Sequence, residues 1–169
     1  MSHRFDATLK DILAQGPDEL RKPFRLPALE PAQTLNVDLS TISAATDLAI
    51  GFGDPVQEST DLNFQSGPDA TVAARLLLYN AALHLKFGVP IQSILVLLRP
   101  KAATPGLNGK LAYPSGGKHV LFEYEVIRLW QEPVASFLKG SLELLPLAPL
   151  CRTPPGKPLE QSLREIVRD

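Results

Sequence analysis

Three polar side chains stand two residues apart in the stretch TDLNFQ: Asp61, Asn63 and Gln65, alternating with Leu62 and Phe64. On an extended chain this spacing puts the three polar groups on one face and the two apolar ones on the other. A row of oxygen-bearing side chains can hold a hard cation or a hydrogen-bonding ligand. The same pattern describes any antiparallel strand with one wet face. A further acid, Asp47, stands at the start of an alternation in which Leu48, Ile50 and Phe52 are separated by Ala49 and Gly51. That alternation predicts a strand over residues 47–52. Gly53-Asp54-Pro55 turns the chain, and residues 56–65 return it antiparallel. The hairpin brings Asp47 into the neighbourhood of Asp61 or Asn63, with its register left open by the pattern.

The elements that must hold this hairpin follow in order. Val72, Leu76, Tyr79 and Leu83 recur at helical spacing, with Arg75 beside them. Pro68-Asp69 starts a helix over 69–87 and Gly88 stops it. His84 lies on this helix and reads as a partly buried helix residue. Residues 91–98 are almost continuously apolar, as in a strand buried on both faces. Strand, helix and strand make a βαβ unit. Residues 100–117 read as a loop or ragged hairpin, and 119–130 as one long strand, antiparallel to its neighbour or at an edge. Upstream, Phe5, Leu9, Ile12 and Leu13 form a helical stripe stopped by Gly16-Pro17. Residues 18–31 carry three prolines and read as a surface loop; 34–39 read as a weak strand. Downstream, 133–138 read as a short helix and 142–150 as irregular apolar chain packed on the core. Residues 153–156 read as a linker, followed by a last helix through Leu159, Leu163 and Ile166. The fold class is α/β, a central mixed sheet flanked by helices. One domain is expected over 1–151, with linker and helix over 152–169.

Composition narrows the classes of function. Hydrophobic residues make up 44% of 169, as in an ordinary globular domain. A net charge of −1 argues against a strongly basic, non-specific nucleic-acid binder and leaves room only for a local cationic patch. The single cysteine, Cys151, excludes an internal disulfide and a zinc site built on cysteines. His3, His84 and His119 lack metal-ligand spacing. The first ten residues lack the apolar core of a leader, and no apolar run approaches the ~18–20 residues of a membrane span. A cytoplasmic setting is expected, with no membrane partner.

Taken together, these stretches resemble the PD-(D/E)XK nuclease superfamily, in particular the bacterial recombination-promoting nucleases and their transposase-like relatives. The resemblance is carried by FDATLKDI with Asp6 and Lys10, by Asp47 at a strand start, and by LNFQ over 62–65. It continues through the R-x-x-x-Y pair Arg75 and Tyr79 and the stretches SILVLLRP, EYEVIRLW and LLPLAPL. It covers residues 5–151. It implies a restriction-endonuclease-like sheet and Mg²⁺- or Mn²⁺-dependent hydrolysis of DNA. Asp47 would be the first metal ligand, Asp61 or Asn63 the second, and Gln65 would orient the attacking water. Arg75 and Tyr79 would support the site or contact phosphate, with Asp6 and Lys10 as further supporting residues. One departure matters: the family's strand acid is here Asn63, which brings an amide oxygen and no charge. Either Asp61, two residues earlier on the same face, replaces that carboxylate, or the domain is a silent relative that binds without cutting. DNA binding would be weak and salt-sensitive; self-association is left open.

Overall fold

The computed structural model describes residues 12–26, 30–35, 46–115, 118–139, 142–156, 158 and 160. Seven strands are present among them: β1 (Ala32–Leu35), β2 (Leu48–Phe52), β3 (Glu58–Gln65), β4 (Ile91–Leu97), β5 (Lys110–Ser115), β6 (Lys118–Glu123) and β7 (Glu125–Arg128). The described α-helices are α1 (Arg21–Phe24), α2 (Val72–Phe87) and α3 (Ala135–Leu138).

The main sheet is mixed, with strand order β1-β2-β3-β4-β7. β1, β2 and β3 run antiparallel in turn, while β3, β4 and β7 are parallel. The β2–β3 hairpin is closed by the Gln57 N–H donating to the Phe52 carbonyl at 2.8 Å. Gly53 makes the turn possible: its φ is +90°, and a Cβ there would meet the Pro55 oxygen at 3.1 Å. α2 then connects β3 to β4, as expected of a βαβ unit. It ends at Gly88, whose left-handed φ of 68° lets its N–H reach the His84 carbonyl at 2.8 Å.

Alternation along the strands gives the sheet two buried faces. On one, Leu48, Ile50, Phe52, Leu62, Ile94 and Val96 pack with Leu13, Leu20, Phe24, Phe137, Leu144 and Leu147. On the other, Leu95 and Leu97 pack beneath Val72 and Leu76 of α2 and against Phe122 and Tyr124. The stretch Ile94 to Leu97 is fully buried, as its unbroken apolar run implies.

Several expectations need correction. Residues 119–130 are not one strand. β6 pairs with β5 in a separate two-stranded sheet, the chain turns at Tyr124, and β7 joins the main sheet parallel to β4 at its edge. The turn is held by the Tyr124 N–H on the Gly109 carbonyl, 2.9 Å. Alternation continues on both sides of the break, so the period alone does not reveal it. Residues 100–117 accordingly contain β5. The proline-rich stretch after Gly16 is not a surface loop: a 3-10 turn (Pro17–Leu20) runs into α1, and Leu20, Phe24 and Leu26 enter the core. Pro17 and Pro23 are tolerated because each sits in the first turn of its element, where no internal N–H bond is needed. The first described strand, Ala32–Leu35, begins two residues before the expected 34–39, of which 36–39 lie outside the described residues. Residues Leu142–Leu150 form a 3-10 helix packed on the core. His84 is exposed, its Nδ1 lying 2.7 Å from the Val89 carbonyl. The start of the N-terminal helix and the last helix lie outside the described residues; residues 12–14 are helical.

Candidate acidic site on the second face of the sheet

The hairpin register decides which polar groups meet. Leu48 pairs with Leu62 and Ala49 with Asp61. One step further, Asp47 faces Asn63. Leu62 and the Leu48–Phe52 alternation point to the first core, so Asp47, Asp61, Asn63 and Gln65 share the opposite face, the one that carries α2.

This face is not wet. Asp61 is fully buried and Asn63 is 5% exposed, with Ser59 and Ser93 buried in the same layer. The Asn80 amide of α2 donates to the Ile91 carbonyl at 2.8 Å and to the Ser93 hydroxyl at 3.1 Å. Asp61 pairs in register with Ser93. Asn80 thus ties α2 to β4 next to Asp61, on the face that alternation presents as solvent-exposed.

Asp61 is the electrostatic centre. Its Oδ1 accepts the Thr46 hydroxyl and the Asn63 side-chain N–H, the latter at 2.7 Å. Its Oδ2 is buried and has no hydrogen-bond partner among the described residues. Burial pushes the Asp61 carboxyl up to about 7; the two hydrogen bonds oppose the rise and the nearby Asp47 carboxylate adds to it. Asp47 is half-buried, and its Oδ2 accepts the Phe64 backbone N–H at 2.8 Å. Two carboxylates are thus electrostatically coupled, and one carries an unmatched oxygen. Two carboxylates are what Mg²⁺ ordinarily takes from a protein. Among the described residues, no group of three or more His, Cys, Asp or Glu side chains could hold a metal ion.

Asn63 reaches Asp61 as a hydrogen-bond donor. An acid at this position would repel Asp61 instead. Gln65 turns away from the pair: its Nε2 donates to the Gly67 carbonyl at 2.8 Å and its Oε1 accepts from Arg75 at 3.3 Å. Arg75 is also paired with Asp69 at 3.1 Å, and Asp69 in turn accepts the Thr71 N–H and hydroxyl. These contacts hold the Asp69 carboxyl below its usual range, against a desolvation that raises it. Comparison with protein-family models, curated proteins and solved structures finds no match for this chain. Of the remaining sequence candidates, Tyr79 is buried on α2, and Asp6 and Lys10 lie outside the described residues. Thr46 and Asn80 were not expected in this layer. Neither has a local signal: Thr46 sits in a connection, and Asn80 is one of several polar residues on α2, with Arg75, His84 and Lys86.

Proposed function

We propose that this chain is a PD-(D/E)XK nuclease-fold protein with a restriction-endonuclease-like sheet, related to the recombination-promoting nucleases and acting on DNA in the cytoplasm. Asp47 and Asp61 would hold Mg²⁺ or Mn²⁺, which would supply charge neutralisation at the phosphate. The observation that carries this reading is the buried, unmatched Oδ2 of Asp61 beside the Asp47 carboxylate. Such an oxygen is costly to leave without a partner, and a divalent ion satisfies it. The chain's own groups make cutting weak. Asn63 spends its N–H on Asp61, and Gln65 is engaged by Gly67 and Arg75 rather than turned toward the acids.

That last pair of contacts also favours a second reading, a silent nuclease-fold relative that binds DNA or another partner without cutting. Nicking of supercoiled plasmid with Mn²⁺ separates the two, using the wild type, Asp47→Ala and Asn63→Glu. Weak wild-type nicking lost in Asp47→Ala and raised in Asn63→Glu supports the enzyme. Mn²⁺ should also raise the wild-type melting temperature, and Asp47→Asn should abolish the shift. If no variant cuts and none is stabilised by metal, the metal site is refuted and the silent reading stands.

A further inference from the structure

Cationic side chains gather at the carboxyl ends of β3 and β4, beyond Gln65 on the strand that carries Asp61. Gln65 is the reference point. Its side chain accepts from Arg75, and its backbone carbonyl accepts the Leu98 N–H at 2.9 Å. Gln65 pairs with Leu97, and Leu95 and Leu97 lie on the α2 face. Arg99 has extended backbone, φ −142° and ψ 148°, so the alternation carries it onto that same face, two positions beyond Leu97. Gly67 and Arg99 each lie two residues past the last paired positions, Gln65 and Leu97. The space over Gly67 is open: a Cβ built there meets nothing within 4 Å. A 3-10 turn (Pro100–Ala102) follows, with Ala102 buried and its N–H on the Arg99 carbonyl at 2.9 Å, which leaves Lys101 outside. Arg99 and Lys101 are exposed and have no hydrogen-bond or ion-pair partner among the described residues.

We infer that Arg99 and Lys101, with Arg75, form a phosphate-binding arm that seats a DNA backbone across Gly67, past the carboxyl end of the strand that carries Asp61. This rests on the nuclease-fold reading above and adds to it the residues that hold the polymer. Arginine matches phosphate with a planar, two-pronged set of donors, and lysine adds a point charge. Arg75 keeps donors to spare after Asp69 and Gln65 are served. An open surface suits a long polyanion better than a small phosphate, which binds in an enclosed pocket. With a net charge of −1, the chain's affinity for DNA has to come from one local patch of this kind.

The test is anisotropy of a labelled DNA duplex over a NaCl series, in EDTA so that cutting plays no part. Wild type, Arg99→Ala, Lys101→Ala, the double variant and Lys22→Ala are compared. Lys22 is exposed on α1, on the opposite face of the sheet. Each arm substitution should weaken binding and reduce the slope of log affinity against log salt by about one. Lys22→Ala should change neither. All positions are exposed, and equal melting temperatures check that the variants are folded. A double variant with wild-type affinity and slope overturns the arm and leaves DNA binding intact. A wild type that binds no duplex at low salt overturns both the arm and the DNA reading, whereas nicking and metal stabilisation report on the acidic pair alone.

Discussion

Asp61 should make the protein less stable as pH rises from about 4 to about 7. Its carboxyl is raised from 3.8 to about 7 by burial and by Asp47. Between those values the native state holds a proton that the unfolded chain has released, so stability falls with increasing pH across that window and levels off above about 7. At about 1.36 kcal/mol per pH unit, the full effect is capped at roughly 4 kcal/mol. Other carboxylates titrate in the lower part of this range, so the quantity to measure is a difference. Urea unfolding of wild type and Asp61→Asn, from pH 4 to pH 8, isolates it. Asparagine resembles the protonated acid and can keep the acceptor for Thr46 and Asn63. The two proteins should be similar near pH 4, and Asp61→Asn should be the more stable by up to about 4 kcal/mol at pH 8. Mn²⁺ should narrow the gap at pH 8, because it takes the place of the missing proton on the wild-type acid. A difference that stays constant from pH 4 to pH 8 would refute the burial of an ionisable Asp61 and the metal argument built on it.

Two further outcomes follow from packing and backbone geometry. Leu95→Ala and Leu97→Ala remove fully buried side chains from the centre of the sheet and should each cost about 2–5 kcal/mol in urea unfolding; a loss under about half a kcal/mol would place β4 at the surface. Gly88→Ala should cost about 1–2 kcal/mol although nothing crowds the added methyl, because φ at this position is +68°; an unchanged melting temperature would show that α2 does not end in the left-handed conformation.

The local patterns were sufficient for the elements around the site. Alternation at 48–52 and 61–65, the turn at Gly53, the helical stripe from Val72 to Leu83 and the apolar run of β4 each report an interaction between near neighbours in the chain. Their order therefore specified the hairpin, the crossover helix and the buried strand, and it brought Asp47 near Asp61 or Asn63; the observed register then set Asp47 opposite Asn63. Alternation states which side chains share a face. It does not state what covers that face. Only the tertiary structure buries Asp61 and Asn63 on the α2 face, turning a row of wet polar groups into a buried, hydrogen-bonded layer in which Asp61 Oδ2 and Ser59 Oγ have no partner among the described residues. The same limit explains the break at Tyr124, which depends on pairing β6 with β5 and β7 with β4, and the burial of Leu20, Phe24 and Leu26, which depends on a sheet face made by residues far along the chain. It also explains Gln65, whose side chain is claimed by Gly67 and Arg75. These outcomes are long-range contacts, and residue types read in sequence order carry no information about the partner that arrives from elsewhere.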